Sequence, residues 1–567
     1  MNKLNIISGI IFLIITQVAN SNPGKTNANV KGHILNSKGE HIPYASIMVR
    51  GTTIGTITDG SGHFHLSSFP SGTYTLQAEC LGYKPQEIKV DVEPGETVEV
   101  NFKLKEDVLN MEEVVVTGDR TGTARTDASI IVNSIKPKLF ASTQSTTLSE
   151  GLNFSPGLRV ENSCQNCGFA QVRMNGMEGP YSQILINSRP IFSGLAGVYG
   201  LELIPSNMIE RVEVIRGGGS ALYGSNAIAG TINLILKDPI NNSYQFGLNG
   251  GLTGAGMESS GKPGSDYNAN FNTSLVSDDN KTGLALYGFY REREPFDAND
   301  DSFSELTSLK NITVGTRLFH RFGTRNKLTA DFFNIREDRR GGNDHENLFH
   351  MSDIAEALDH NITTGSLTYD HFFRKEDKLS VYASGQRVQR DSYYGANYSL
   401  SDYGYTEDFS YTVGAQYDAE LGESNMVFGI EDKGAWLKDR KMGYPNLDEA
   451  SINFNDSTVN IPYTENRTIA DQATNTLGIF AQYKFEWNKL KISAGARFDH
   501  YQIDDQSKNH SDITGNVVSP RLTLKYDIKE ALQARVSFSQ GYRAPQIYDE
   551  DLHRSEERRV GKECVSE

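Results

Sequence analysis

From Tyr244 onward the chain settles into a two-residue alternation of apolar and polar side chains, the period of a β-strand whose two faces meet different surroundings. In "LGIFAQYKFEW", Leu477, Ile479, Ala481, Tyr483, Phe485 and Trp487 share one face, and Gly478, Gln482, Lys484 and Glu486 share the other. In "LQARVSFSQ", Leu532, Ala534, Val536 and Phe538 oppose Gln533, Arg535, Ser537 and Ser539. A soluble sandwich has the same alternation, so the connections decide. Short ones ("SDDNK", "GTRNK", "RKEDK", "WNK") alternate strictly with long ones ("EPFDANDDSFSE", "GGNDHENLFHMSDIAEALD"). Tight turns at one rim and long loops at the other are the pattern of a transmembrane barrel, with aromatics near strand ends, such as Tyr290 and Trp487, in its interfacial girdles. About thirteen strands precede Gln546, whereas plugged outer-membrane barrels close at about 22, so residues 239–553 read as the first part of a larger antiparallel barrel.

Upstream the pattern changes twice. Between Asn29 and Lys105, short alternating runs such as "VKGHIL", "ASIMVRGT" and "SGTYTLQAECLGY" are broken by Gly, Asp and Pro, which predicts a small β-sandwich over 26–105. His63 and His65 flank Phe64 and fall on one strand face; without a third ligand nearby they read as surface histidines rather than a metal site. Residues 106–128 have the Thr, Gly and Asp content of a flexible linker. Within it lies "EEVVVTG" (Glu112, Glu113, Val114, Val115, Val116, Thr117, Gly118), a β-branched strand with no evident partner.

From 129 to 238 the reading is α+β, with a short helix near 147–153 and strands in "QVRMNGM", "SQILINSRPI" and "IERVEVIRG". The run "RVEVIRGGGSALYGSNAIAGTINLIL" invites comparison with a phosphate cradle, but Ser225 and Asn226 follow Gly224 where a Walker loop needs Lys, and Leu222 stands where a dinucleotide fingerprint needs Gly. The glycines are left for tight turns and close backbone approach.

Composition narrows the function. A net charge of -16 and a pI near 5.3 argue against nucleic acid as a partner. Lys3, the apolar run Leu4 to Ile15, and small Ala19 and Ser21 form a signal peptide over 1–21, the apolar stretch falling short of the ~20 residues of a spanning helix. In an oxidising compartment "CQNC" (Cys164, Cys167) reads first as a local disulfide, with free thiols or a metal pair as alternatives. No grouping of nucleophile, base and orienting residue points to an enzyme, and no cofactor is implied. The last stretch, 554–567, lacks alternation and reads as foreign or frame-shifted sequence, and the chain as a fragment of a longer protein.

Three stretches carry a resemblance. "VKGHILNSKGEHIPYASIMVRGTTIGTITDGSGHFHL" is similar to the carboxypeptidase-regulatory-like domain ahead of many outer-membrane receptors of the Bacteroidetes type. "NMIERVEVIRGGGSALYGSNAIAGTINLI" resembles the plug of TonB-dependent outer-membrane receptors, with Arg211, Glu213, Arg216, Gly217, Gly218, Gly219, Tyr223, Gly224, Asn226 and Gly230 as its motif. "FSQGYRAPQIYDEDL" resembles an internal landmark of their barrels. The resemblance implies that Glu112 to Gly118 is the TonB box, whose partner is the inner-membrane TonB energy-coupling complex. It also implies an outer-membrane transporter with a periplasmic plug and N-terminal domain, importing a small-molecule metal chelate. A ferric siderophore is the favoured ligand, with cobalamin or haem next; His345 and His350, in an outer loop, are candidates to touch haem. A signalling receptor and a glycan importer of the lipoprotein-paired type are the remaining alternatives.

Overall fold

The computed structural model describes residues 28–545, apart from 44, 81–82, 107–113, 144, 146, 165–167, 178, 191–205, 258–260, 374–376, 423, 454–457, 508–510 and 530–531. The signal-peptide and tail readings, Glu112, Glu113 and Cys167 lie outside the described residues. So does the side chain of Cys164, and with it the disulfide expectation.

Thirteen antiparallel strands, from Ser243–Thr253 to Leu532–Ser539, form one sheet in sequence order. A separate hairpin, Ser451–Asn453 with Thr458–Asn460, stands in the longest connection. The faces follow the alternation. Ile479, Tyr483, Phe485 and Trp487 are exposed on the outside, while Glu431, Arg497 and Asp499 are buried on the inside. Apolar outside and polar inside is the arrangement lipid requires of a barrel wall. Connections 277–281, 322–325 and 488–489 alternate with the longer 294–307, 343–353 and 397–402.

The N-terminal sandwich stacks two four-stranded sheets. One is built on Ala28–Leu35, flanked by His63–Phe69 and by Thr97–Glu99, with Phe102–Lys103 also pairing to it. The other runs Gly55–Ile57, Ser46–Val49, Gly72–Glu79, Gln86–Val92. Val30, Ile34, Phe64, Leu66, Phe102 and Leu104 lie in its core. It sits against the short turns of the barrel: Thr53 N–H donates to the Thr324 carbonyl (2.7 Å) and Ser67 Oγ to the Asp278 carbonyl (2.9 Å).

The plug carries a sheet in the order Val132–Ile135, Ile209–Arg216, Gly230–Leu236, Ser182–Ile186, the last pair parallel. Its helix Leu148–Leu152 is N-capped by Thr147, whose N–H reaches the Glu150 carboxylate (3.4 Å) as in a capping box. Val212, Val214, Ile232 and Leu234 on this sheet belong to one apolar cluster with Phe333, Ile335, Leu358 and Ile362 of the barrel's inner face.

Candidate functional site

The site is the junction where the "VVVTG" segment, the plug and the barrel wall meet. Val114–Val115 is a strand after all, paired antiparallel with Thr123–Ala124. Val115 packs with Ala128, Val132 and Ile215. The expectation of an unpartnered strand on a flexible linker is therefore corrected for the described part: Val115, Thr117, Gly118, Asp119, Arg120 and Ala128 are all buried. A run of small polar residues looks like a linker because no apolar pattern marks it, yet here Thr117, Asp119, Arg120 and Asp127 each bond side chains of the plug or the barrel wall.

Thr117 is held through every polar atom it has. Its N–H (2.8 Å) and its hydroxyl (2.6 Å) donate to one oxygen of Glu213, which also accepts the Val116 N–H (2.9 Å). The same hydroxyl accepts from Asn233 Nδ2 (2.8 Å), and the Tyr223 hydroxyl donates to the Thr117 carbonyl (2.9 Å). The other Glu213 oxygen takes Arg211 Nε at 2.9 Å, so a fully buried carboxylate is both paired and hydrogen-bonded, as burial of its charge requires. Burial raises the pKa of the Tyr223 phenol, which stays a donor.

Arg120 carries the junction to the barrel wall. Its guanidinium bonds Glu431 (2.8 Å), lies over the rings of Phe480 (4.2 Å) and Tyr223 (4.8 Å), and its carbonyl accepts from Gln416 Nε2 (3.2 Å). It sits at φ 60°, a left-handed backbone that costs a non-glycine residue about 1–2 kcal/mol. The Glu431 carboxylate also accepts from the Tyr382 hydroxyl (2.5 Å) and Arg497 (2.8 Å), and Arg497 in turn bonds Asp499 (2.7 Å). Asp119 joins the wall through Gln482 Nε2 (3.1 Å), and Asp127 takes Lys491 (2.6 Å) and Lys525 (3.0 Å).

The motif residues divide by role. Glu213 and Tyr223 touch the segment directly, and Arg211 orients Glu213. Gly224 (φ 82°) would place a Cβ 3.2 Å from Arg497, and a Cβ at Gly230 would fall 2.1 Å from the Ile215 carbonyl. Asn226 N–H donates to the Tyr542 carbonyl (3.1 Å). Arg216 ends the strand Ile209–Arg216, Gly217 and Gly218 follow it, and Gly219 caps the helix Ser220–Tyr223, its carbonyl accepting the Tyr223 N–H (3.0 Å). Asn233, Arg120, Glu431 and Arg497 went unread in the sequence. A lone Asn inside the apolar "GTINLIL", and Glu and Arg at inward positions of "FGIEDKGAW" and "SAGARFDH", were the available signals.

His345 and His350 lie at the long-loop rim but away from this junction. His350 Nδ1 pairs with the Tyr403 hydroxyl (2.9 Å) and His345 Nε2 with Ser304 Oγ (3.3 Å). Burial, with Arg340 nearby, holds the His345 imidazole below its ordinary pKa. In the connection 294–307 the carboxylates of Asp297, Asp301 and Glu305 lie within 4.8 Å of one another, and Asp297 accepts backbone N–H groups from its own loop.

Comparison with known proteins agrees with this architecture. Residues 30–116 match the CarboxypepD_reg-like domain, 124–231 the TonB-dependent Receptor Plug Domain, and 238–552 the family described as TonB dependent receptor-like, beta-barrel. The chain is similar to the vitamin B12 transporter BtuB of Vibrio vulnificus, with 23% identity over 79% of this chain and 66% of that protein. It is similar to the TonB-dependent receptor SusC of Bacteroides thetaiotaomicron at 29% identity, over 42% of this chain and 24% of the relative. Among solved structures, P. aeruginosa FpvA bound to heterologous pyoverdines superposes with a TM-score of 0.61 at 14% identity, covering 79% of this chain and 62% of FpvA. The unliganded ferric citrate transporter FecA gives 0.58 at 14% identity, covering 74% and 64%. This chain thus spans about two thirds of the length of the BtuB relative. With the barrel match alone covering more than half of its residues, the chain belongs to the family of TonB-dependent receptors of the outer membrane.

Proposed function

We propose that the protein is an active transporter that imports a metal chelate of the ferric siderophore class, driven by the TonB complex pulling on Glu112 to Gly118. The observation that carries this reading is the dock of Thr117 and Arg120: the segment is held by hydrogen bonds and one buried ion pair, which water or a partner can replace. When a chelate binds at the long-loop face and shifts the plug, parting of Arg120 from Glu431 relieves the left-handed backbone at Arg120 and loosens Thr117. The freed valines then add as a strand to the edge of the partner's sheet, where main-chain bonds supply the affinity.

Ligands named for FecA and FpvA are iron chelates, which supports the siderophore class. The likeness to BtuB favours cobalamin as the second reading. A deletion strain complemented with the gene is grown on single ferric siderophores or on cobalamin as the limiting nutrient. Rescue by a ferric siderophore is expected, and rescue by cobalamin alone replaces the substrate. A cysteine in place of Val114 should cross-link to TonB more strongly when the chelate is present; equal yields with and without chelate would overturn the coupling role.

A further inference from the structure

We propose that the N-terminal sandwich holds a divalent transition-metal ion between His33, His41 and His63. Three imidazoles gather here: ring centroids lie 5.1 Å apart for His33 and His41, 4.8 Å for His41 and His63, and 5.7 Å for His33 and His63. Zn–N bonds of about 2.0–2.1 Å at tetrahedral angles put the centroids of three coordinating imidazoles about 5 Å from one another, which is the spacing of this triangle.

The backbone sets the triangle. His33 and His63 are cross-strand partners at the end of the Ala28–Leu35 and His63–Phe69 pair. His41 is brought in by a tight return of the chain, with Asn36 N–H bonded to the Glu40 carbonyl (2.8 Å), Ile42 N–H to the Ile34 carbonyl (2.8 Å), and a bridge between Leu35 and His41. Gly62, at φ 80°, makes room: a Cβ there would lie 2.8 Å from the His41 Cβ. Burial does not account for the grouping, because His41 and His63 are exposed and no apolar core demands them. No choice of one nitrogen from each ring brings all three within 4.8 Å of one another as the rings stand, so metal binding turns the exposed His41 ring toward the other two.

One ring has its tautomer arranged. Asp59 Oδ1 accepts from Ser61 Oγ (2.6 Å), and Ser61 Oγ lies 3.0 Å from His63 Nδ1. With its hydroxyl proton on Asp59, Ser61 accepts from Nδ1–H and leaves His63 Nε2 as the unprotonated nitrogen, the relay that commonly orients a metal-binding histidine. His65, one strand pair away opposite Lys31, is outside the triangle and serves as the control. Three neutral imidazoles with a fourth position for water suit Zn²⁺ and, by the general order of affinities, Cu²⁺ more tightly.

The test uses the full chain in detergent, stripped with a chelator, titrated with Zn²⁺ by calorimetry and with Co²⁺ by visible absorption. One equivalent is expected, with the d–d bands of a histidine-bound, four-coordinate Co²⁺. His41→Ala and His63→Ala should each remove that equivalent, Ser61→Ala should weaken it roughly tenfold, and His65→Ala should leave it in place. Amide exchange across 28–104 checks that each variant keeps the sandwich folded. Failure of the parent chain to take up one equivalent would overturn the site, as would its survival in the His41→Ala/His63→Ala double variant or its loss in His65→Ala.

Discussion

The plug meets the barrel through two unlike surfaces. On one side the plug sheet merges with Phe333, Ile335, Leu358, Ile362 and Val388 in a single apolar cluster. On the other, Arg120, Asp119 and Asp127 meet Glu431, Gln482, Lys491 and Lys525. The two surfaces respond differently to separation. Exposing apolar side chains costs about 25 cal/mol per Å², with nothing returned by the water that enters. Parting an ion pair exposes groups that water solvates well, so the net cost is small even though the pair is short and buried. The apolar side behaves as an anchor, and the ionic side, which carries residues 114–120, as a joint.

Glu431→Ala is the strongest way to break this contrast, because it leaves Arg120 and Arg497 buried without their shared carboxylate. Removing one partner of such a pair costs about 3–5 kcal/mol. Amide exchange should accelerate across 114–128 and stay slow in Ile209–Arg216 and Gly230–Leu236; equal acceleration in both would show that the plug is one rigid unit. Ile335→Ala tests the opposite side at about 2–4 kcal/mol, the cost of an emptied apolar site. Here the plug sheet should loosen while 114–128 keeps its protection, and the reverse pattern would exchange anchor and joint.

Thr117→Val is milder. It keeps the shape but deletes the hydroxyl that donates to Glu213 and accepts from Asn233, for about 1–3 kcal/mol. Cross-linking of a cysteine at Val114 to TonB should rise even without chelate. An unchanged yield would mean that this hydroxyl does not hold the segment back.

The barrel was legible because each strand repeats the same period and the connections alternate in length, so dozens of residues vote for one reading. The joint was not, because it depends on pairs far apart in the chain. "TGDRTGTARTD" has the composition of a linker, and nothing local reveals that Arg120 will meet an inward Glu431 more than three hundred residues on. The gathering of His33, His41 and His63 is hidden for the same reason. His63 lacks a third ligand in its own stretch, and only the antiparallel register and the return through His41 bring the others beside it. Period and turn chemistry are local properties of sequence; the partner across a lumen or a sheet is not.

The smallest expected effect belongs to Asp127, at the outer margin of the joint. Its carboxylate bonds Lys491 and Lys525, but it is 39% exposed, so solvent screening limits the pair to about 0–1 kcal/mol. Partial burial pushes its pKa up, and the two lysine hydrogen bonds and charges outweigh that and pull it below the ordinary carboxyl value. A group with a depressed native pKa binds its proton more tightly when released, so its stabilisation is present above the unfolded-state value of about 3.9 and disappears as pH falls through the native value. Asp127→Asn should therefore speed exchange near 123–128 slightly at neutral pH, and its difference from the parent chain should vanish in acid. Both lysines keep a carbonyl oxygen to bond in the variant, so what is lost is charge rather than contact, and added salt should shrink the difference at neutral pH as well. A difference that persists unchanged at low pH or high salt would assign Asp127 to shape, and would move the edge of the ionic joint inward to Asp119 and Arg120.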